Sequence, residues 1–374
     1  MITYAYIKDN SINKVEYDFV DGARVRIVGD EFSYYDVYFY DRKTKQLFSK
    51  SRIKNNEWCK CTITFFADWE IIILKDEKLW ASKEFNLESK NVHIRLDSSA
   101  LGDTLAWFPY IEKFRKLHNC NLFVSTFHNN LFEKSYENIS FVPFHANIVN
   151  LYAKYDVGYF LKNSEIDLFR HPVDPKTIPL QKIAADILGL DYVEEKANLS
   201  FSVNNKNSDL IVFGPHATKQ CKFWNYETGW KDLADYFLEK NYKVISISDN
   251  ANGYFRNFLP SNIEHIQTVT IEEAVDYLVK AKLFIGLGSG LSWLSWTLGI
   301  PTVLISGFSY SYTEMQSCYR VIPPEDRCSG CFNRKTLNRG DWYWCPDHKG
   351  STREFECTKS ITPKMIIDKI EHLL

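Results

Sequence analysis

The sequence predicts an α/β fold that follows a β-rich N-terminal region. Its first ninety residues are dense in β-branched and aromatic residues, and short polar turns interrupt them. From Asn91 onward, strand-like and helix-like segments alternate, which is typical of parallel sheets because a parallel crossover needs an intervening helix. A chain of 374 residues also exceeds one ordinary domain, so we expect two or three.

The composition limits the function classes. The formal net charge is −2 at pH 7, so the chain has no basic field to attract nucleic acid or an anionic membrane. No stretch approaches the roughly 18 uninterrupted apolar residues of a membrane span, and no secretion signal opens the chain. We therefore expect a soluble cytoplasmic protein. Its nine cysteines are then more typical of thiols or metal ligands than of disulfides.

Residues 1–90 predict a small β-barrel or β-sandwich. The segments "ARVRIVG", "YYDVYFYD", "CKCTITFF" and "EIIILKDEKLWASKEF" alternate or run in strand-forming residues. The turns "DG", "DRKTK" and "KNNE" separate them. Several short strands with regular turn signals are typical of such all-β domains.

Residues 91–205 and 206–322 each predict a Rossmann-like domain. In the first, "VHIRL" and "NLFVSTF" are expected strands, and "DTLAWFPYIEKFRKLH" and "PLQKIAADILGL" are expected helices. In the second, the strands "LIVFGPH", "KVISIS", "KLFIGLGSG" and "PTVLISG" alternate with the helices "GWKDLADYFLEKN", "IEEAVDYLVKA" and "LSWLSWTLG". Two such layers in tandem predict a cleft between them. Residues 323–360 and a C-terminal helix over 361–374 complete the expected organisation.

The turn "LDSSALGDTLAW" places Asp103 where a strand ends and a helix begins. An acidic residue there caps the helix or complements its dipole. A carboxylate at the carboxyl edge of a sheet is also placed to act as a general base toward an attacking hydroxyl. The turn alone leaves both interpretations open.

A second turn, "IGLGSGLSW", predicts a diphosphate site. Small residues separate a buried strand from a helix, so free backbone N–H groups and hydroxyls can approach an anion. The pattern is neither a dinucleotide fingerprint nor a P-loop. The alternative is a tight turn with no ligand. The candidate residues are Gly288, Ser289, Gly290, Leu291 and Ser292, while Trp293 and Trp296 are expected in the core.

The loop "GPHATKQCKFWN" carries His216, Lys219 and Lys222 between a strand and a helix. A lysine in this position offsets the charge of a leaving phosphate, although lysines before helices are commonly only solvated. Both interpretations stay open from the residues alone.

The strongest single pattern is the spacing C-x2-C-x13-C-x11-C near the C-terminus. It predicts a tetrahedral four-thiolate site for zinc or a single iron, with no open ligand position and hence a structural role. The predicted ligands are Cys328, Cys331, Cys345 and Cys357. The other cysteines show no matching spacing: Cys59, Cys61, Cys120, Cys221 and Cys318.

Three stretches together resemble one protein family. "LGDTLAWFPYIEKFR", "FIGLGSGLSWLSWTLGIPTVLISGF" and "WCPDHKGSTREFECTKSIT" resemble the bacterial autotransporter heptosyltransferases, which are related to the lipopolysaccharide heptosyltransferases. The resemblance covers about Asn91 to the C-terminus in its motifs. It implies the glycosyltransferase B architecture of two facing Rossmann-like domains, with a β-barrel in front and a metal finger behind.

The resemblance also implies an activity and its partners. The family moves heptose from ADP-heptose to serines of self-associating autotransporter adhesins in the cytoplasm. It binds iron in the finger, needs no catalytic metal and assembles as homo-oligomers that include a dodecamer.

Site residues follow from the same resemblance. The family's base falls on Asp103, its K-x-W segment on Lys222 and Trp224, and its phosphate loop on Ser289 and Gly290. The sequence departs from the lipopolysaccharide enzymes at Gly288, where they usually carry Asp, and at Trp293, where they usually carry His. These departures favour the protein-modifying branch.

Three alternatives remain at this point. A transferase of the same fold could use another nucleotide sugar. A rubredoxin-like electron carrier would explain the four cysteines but neither the α/β layers nor the phosphate loop. A non-catalytic adhesin scaffold would bind autotransporter without binding nucleotide sugar.

Overall fold

The computed structural model describes residues 13–205 and 208–374. It divides into two compact units. The first contains the described residues up to Ser98 together with Tyr110–Asp174 and Lys182–Tyr192. The second contains Ser99–Pro109, Pro175–Gln181 and the described part of Val193–Leu374. Asp103 and the glycine loop at 288–292 therefore belong to the same unit.

The N-terminal region forms two antiparallel sheets, as the predicted β domain requires. Its strands are β1 (Lys14–Asp18), β2 (Arg24–Val28), β3 (Tyr34–Asp41), β4 (Leu47–Lys54), β5 (Trp58–Lys60), β6 (Trp69–Lys75) and β7 (Lys78–Glu84). One sheet has the order β1-β2-β5 and the other β4-β3-β6-β7. Along β3, Tyr35, Val37 and Phe39 are buried at alternating positions, because successive side chains of a strand point to opposite faces.

A parallel sheet follows in the first unit, with the order β10-β9-β8-β11. Its strands are β8 (Asn91–Leu96), β9 (Asn121–Ser125), β10 (Ser140–Phe141) and β11 (Leu151–Val157), and a short hairpin pairs β12 (Leu161–Lys162) with β13 (Glu165–Ile166). The helices of this region are α1 (Leu101–His118) and α2 (Leu180–Ile187). Helix α1 begins two residues before the predicted start, so Asp103 lies in its first turn.

The second unit contains a six-stranded sheet of order β16-β15-β14-β17-β18-β19, with all neighbours parallel. Its strands are β14 (Leu210–Gly214), β15 (Lys243–Ser248), β16 (Glu264–Gln267), β17 (Leu283–Leu287), β18 (Thr302–Ile305) and β19 (Tyr319–Val321). Strands β17 and β18 are buried at every position, as expected where helices cover both faces of a parallel sheet. The helices are α3 (Gly229–Glu239), α4 (Ile271–Leu278) and α5 (Gly290–Thr297).

The C-terminal region carries three further helices: α6 (Cys331–Arg334), α7 (Glu356–Lys359) and α8 (Pro363–Ile370). Helix α8 begins with a hydrogen bond from the backbone N–H of Met365 to the Thr362 hydroxyl, followed by Pro363 at the first helical position. Both features favour a helix start. In the described part of the chain, 3-10 turns lie at Asn129–Leu131, Gln220–Lys222, Tyr254–Arg256 and Glu371–Leu373. No helix in the described part of the chain is long and apolar enough to cross a membrane.

Candidate active site and cysteine cluster

The first turns of α1 and α5 are in backbone contact. A Cβ added at Gly102 would stand 2.9 Å from Cδ1 of Trp293, and one added at Gly290 would stand 3.0 Å from Cβ of Leu101. The two glycines therefore allow an approach that larger residues would obstruct. Because each helix start presents unpaired N–H groups and the positive end of a dipole, their convergence favours an anion.

The serines of the glycine loop differ in what their hydroxyls do. Ser289 precedes α5 in an extended conformation, and its Oγ has no hydrogen-bond partner among the residues that the structure describes. Ser292 is fully buried and donates to the carbonyl of Leu287 at 2.5 Å. The buried hydroxyl of Ser289 therefore has an unused hydrogen-bonding capacity, whereas Ser292 ties α5 to the end of β17. Trp293 and Trp296 are buried, which confirms their predicted place in the core.

Asp103 lies in the first turn of α1 and is partly buried. It directly follows Gly102, the residue that contacts α5. The structure thus brings the predicted base to the start of the predicted phosphate loop. A carboxylate there complements the α1 dipole and is also placed to take a proton, so the two roles proposed for Asp103 are compatible.

A second carboxylate, which the sequence did not single out, reaches the loop at Gly288. A Cβ at Gly288 would stand 2.9 Å from Oε1 of Glu314. The other carboxylate oxygen, Oε2, accepts hydrogen bonds from Arg320 at 2.6 Å and from the Ser309 hydroxyl at 2.7 Å. The absence of a side chain at 288 therefore makes room for an acidic group that comes from another loop.

The predicted lysine loop begins at the edge of the six-stranded sheet where the glycine loop 288–292 also begins. It follows β14, which pairs with β17 along Ile211–Gly214 and Leu283–Gly286. Parallel neighbours end at the same edge, and ligands of open α/β sheets bind there. The Lys222 ammonium lies 5.1 Å from the ring centroid of Phe308, which follows β18 on the same sheet. Lys222 is half-buried.

Three other residues of this loop have structural contacts. Trp224 is buried, and its indole N–H donates to the carbonyl of Ile361 at 2.7 Å. Lys219 is only 7% exposed. His216 is buried beside the Ser248 hydroxyl, at 2.9 Å from its Nδ1, and burial lowers the pKa of His216 to about 4. Of these lysines and aromatics, Lys222 is the one left partly accessible to a ligand.

The four predicted metal ligands line one small cavity of about 10 Å³. Its walls are Cys221, Gly307, Cys328, Ser329, Cys331, Arg334, Cys345, Pro346, Asp347, Phe355 and Cys357. A Cβ at Gly307 would stand 3.2 Å from Sγ of Cys357. The nine cysteines, all within the described residues, are free thiols. The cavity has room for one ion, and Cys221 is a fifth cysteine in its wall that the spacing did not predict.

Three of the four predicted ligand thiols, those of Cys331, Cys345 and Cys357, are in surroundings that disfavour thiolates in the absence of a cation. Burial raises the pKa of Cys331 and of Cys345. A hydrogen bond with Cys328, together with burial, raises the pKa of Cys357, while the same bond lowers the pKa of Cys328. A bound cation would supply the missing charge and deprotonate its thiol ligands. The four thiols therefore have the right chemistry for a thiolate-bound metal and share one cavity wall, but in the described part of the chain no three of them have ligand atoms within 4.8 Å of one another.

An alternative ligand group overlaps this cavity. One ligand atom each of Cys328, His348 and Glu356 lies within 4.8 Å of the others. Glu356 also pairs with Arg353 at 2.6 Å, and that hydrogen bond lowers the pKa of Glu356 to about 2. Because the carboxylate already has a cationic partner, we favour the four cysteines as the ligand set.

Comparison with known proteins decides the family. The model of glycosyltransferase family 9 (heptosyltransferase) matches residues 163–330. The autotransporter heptosyltransferase Aah of Escherichia coli is 34% identical over 373 residues, which cover 96% of this chain and 93% of Aah. The chain belongs to the autotransporter heptosyltransferase family.

A solved structure extends this match to the whole fold. The crystal structure of TibC from enterotoxigenic E. coli H10407, an iron-containing dodecameric glycosyltransferase, matches with a TM-score of 0.88 and 30% identity over 99% of this chain and 97% of that chain. TibC has also been solved with ADP-D-beta-D-heptose, and that structure matches with a TM-score of 0.87. The predicted glycosyltransferase B fold class is thereby confirmed. This autotransporter heptosyltransferase is accordingly a glycosyltransferase, as predicted.

A more distant relative is an inactive member of the family. BimC of Burkholderia thailandensis, named an inactive autotransporter heptosyltransferase, is 27% identical over 292 residues covering 75% of this chain and 68% of BimC. Family membership therefore does not identify which residues carry the activity.

Proposed function

We propose that the chain transfers heptose from ADP-heptose to serine hydroxyls of an autotransporter adhesin in the cytoplasm. The observation that supports the proposal is the close packing of Gly102, the residue before Asp103, against Gly290 and Trp293 at the start of α5. The donor is inferred from TibC, which has been solved with ADP-D-beta-D-heptose. The acceptor is inferred from the name of the family.

In the proposed reaction Asp103 accepts the proton of the serine hydroxyl as its oxygen attacks the anomeric carbon of the sugar. The bond between that carbon and the diphosphate oxygen breaks, and ADP leaves with inversion at the anomeric centre. Lys222 and the N–H groups at Ser289 and Gly290 stabilise the charge that develops on the diphosphate. No step needs a metal. Positioning of the two substrates supplies much of the rate enhancement.

The remaining predicted donor residues take supporting roles in this proposal. Trp224 and Ser292 are buried and already hydrogen bonded, so they hold the two loops in place. Leu291 and Gly288 shape the approach to the loop, and Gly288 admits the Glu314 carboxylate. Direct donor contacts are assigned to Lys222, Ser289 and Gly290.

We further propose that Cys328, Cys331, Cys345 and Cys357 hold one structural metal, which would close their coordination shell and neutralise the buried thiolates. Iron is preferred because TibC is described as iron-containing, and zinc is the alternative. TibC is also described as dodecameric, so a homo-oligomer, including a dodecamer, is proposed here as well.

Intact-mass measurement of an autotransporter passenger co-expressed with the enzyme tests the proposal. The expected result is a series of increments, each equal to one heptose residue, that are absent when the passenger is expressed alone. An increment of hexose mass would show that the donor carries a hexose in place of heptose, while the transfer reaction stays as proposed. A passenger of unchanged mass that still co-purifies with the chain would favour the scaffold alternative, which the inactive relative BimC keeps relevant.

A further inference from the structure

The turn that carries Lys222 is built on the cysteine segment. We define the donor turn as residues 219–225 and the cysteine segment as residues 328–361. Each residue of the donor turn makes a hydrogen bond or a packing contact with the cysteine segment, or with a ring packed against it. Such a continuous set of contacts is not expected for a loop that is only solvated.

The ammonium group of Lys219 connects the donor turn with the cysteine segment. Its Nζ donates to the carbonyls of Arg339 at 2.7 Å and Asp341 at 2.9 Å, and the side chain is 7% exposed. The next residue, Gln220, donates its backbone N–H to the carbonyl of Trp342 at 3.2 Å. A buried ammonium on two carbonyls holds the backbone of both segments, because leaving such a charge unpaired in the interior is costly.

Cys221 takes part in the wall of the cysteine cavity. It is 2% exposed and packs in one apolar cluster with Phe308, Trp344, Cys345 and Phe355. The residue immediately before Lys222 therefore touches the predicted metal site itself. Because Cys221 belongs to both, a structural change in the cavity wall directly affects the position of the donor turn.

Lys222 and the residues after it continue the contact. The ring of Phe308 lies below the Lys222 ammonium at 5.1 Å and packs against Phe332 at 5.2 Å and Trp344 at 6.1 Å between ring centroids. The last three residues of the donor turn also contact the cysteine segment, through Phe223 on Trp342, Trp224 on Ile361 and Asn225 on Thr358.

We infer that the metal held by the cysteine segment sets the position of the donor turn, so that metal occupancy controls affinity for the donor nucleotide. Lys219 is then a positioning residue for Lys222. This inference rests on the proposed function, in which Lys222 contacts the diphosphate. The physical basis is that a segment with few aliphatic residues keeps its fold through the metal, and the donor turn depends on that fold for its own contacts.

Calorimetry with ADP on the metal-loaded and the chelator-treated full-length protein tests the inference. We expect metal removal to weaken ADP binding by about 5–150-fold, the range typical of coupling between two sites. Coupling of binding free energies is reciprocal. Saturating ADP should therefore raise, by the same factor, the chelator concentration that removes half of the metal. This second measurement starts from the loaded protein.

Lys219→Met tests the positioning role without altering any predicted ligand. It keeps most of the side-chain volume but loses the two bonds to carbonyls, so we expect full metal content and about tenfold weaker ADP binding, within the same range. Lys364→Met is the matched control, since the Lys364 side chain is 80% exposed on helix α8. It should bind ADP like the wild-type protein.

The outcomes separate this inference from the proposed function. If Lys222→Ala leaves ADP affinity unchanged, Lys222 does not contact the diphosphate, and the inference falls with that part of the proposed function. The inference is overturned, and the donor site stands, if Lys222→Ala weakens ADP binding but three other results show no change. These results are unchanged ADP affinity after metal removal, unchanged ADP affinity in Lys219→Met, and an unchanged chelator concentration in saturating ADP.

Discussion

Neighbouring residues at the edge of the six-stranded sheet divide between ligand binding and packing. Within the described part of the chain, the Ser289 hydroxyl has no hydrogen-bond partner, while the hydroxyl of Ser292, one turn later, donates to the carbonyl of Leu287. Lys222 is half-buried, while Trp224, two residues on, lies in the core. Sequence patterns place all four in ligand loops, but only the tertiary contacts distinguish which side chains remain available.

Lys222→Ala and Ser289→Ala are each expected to weaken ADP binding. A charge-assisted hydrogen bond is worth roughly 1.5–3 kcal/mol, so Lys222→Ala should have the larger effect, and the neutral Ser289 bond the smaller one. Calorimetry with ADP measures both. Ser311→Ala, at an exposed position, is the matched control. Unchanged affinity in both loop variants would move the diphosphate site elsewhere.

Gly102→Ala tests the contact between α1 and α5. The added methyl would meet Trp293 at 2.9 Å, so the helix starts must separate, at a cost of about 1–3 kcal/mol for overpacking. We expect a lower unfolding temperature and a transfer rate that falls more than ADP affinity, because Asp103 moves relative to the loop. Wild-type stability together with wild-type transfer would show that the close approach is not needed.

At the scale of elements, the sequence predicts most of the strands and helices because their signals are local. The apolar runs of β14, β17 and β18 and the amphipathic patterns of α3 and α4 need no tertiary information. Strands β16 (Glu264–Gln267) and β19 (Tyr319–Val321) are short and partly polar, so pairing with a neighbour rather than propensity makes them strands. Their sequences carry no comparable signal.

The same distinction holds for the site. Four cysteines within thirty residues are visible as a spacing, whereas Cys221 joins their cavity from a distant loop and has no motif. Glu314 reaches Gly288 in the same way. The sequence signal for a group such as Glu314 is the glycine at 288, because a glycine in a ligand loop leaves space for a side chain from another loop.

Cys345→Ser tests the predicted metal finger. Because four thiolates close the coordination shell, loss of one should release the metal, lower the unfolding temperature and reduce solubility or oligomer size. Metal analysis of the purified protein measures occupancy and distinguishes iron from zinc. Cys318→Ser is the control, since Cys318 contacts the carbonyl of Met315 and is not in the cavity wall. A metal-free wild-type protein with an intact assembly would refute the finger.

The stability of the first unit should depend on pH through His171. Its Nε2 accepts the backbone N–H of Phe160 at 3.0 Å, and burial, with a contribution from Arg170, lowers the pKa of His171 from 6.5 to about 4. The unfolded chain thus binds this proton more readily than the folded chain. The contribution of His171 is therefore complete above pH 6.5 and is lost as pH falls toward 4, by up to about 1.4 kcal/mol per pH unit.

His171→Gln removes this titration while it keeps an acceptor for Phe160. The unfolding temperature of the variant should fall less steeply than that of the wild-type protein between pH 6.5 and 4. Buried His93 and His216, whose pKa values burial lowers to about 4, add the same background to both proteins. His145→Gln, at an exposed position, is the control. Unfolding temperatures that fall equally steeply with pH in the wild-type protein and in His171→Gln would contradict the account.

At the scale of the whole molecule, fold and family favour a transferase over an electron carrier, because a four-cysteine site alone needs neither parallel sheet. They do not by themselves identify the residues that carry the reaction, since the family includes the inactive BimC. The deciding feature is chemical: whether the carboxylate of Asp103, in the first turn of α1, takes a proton from the acceptor as proposed.

Asp103→Asn is the most direct measurement of that claim. The amide keeps the shape and much of the helix-capping capacity of the carboxylate but cannot act as the base. Transfer of heptose to the passenger, followed by intact mass over time with the purified enzyme, should fall by about 10²–10⁴-fold, while calorimetry shows ADP affinity close to wild type. Transfer by Asp103→Asn at the wild-type rate would contradict the account and leave Asp103 with only a structural role in the first turn of α1.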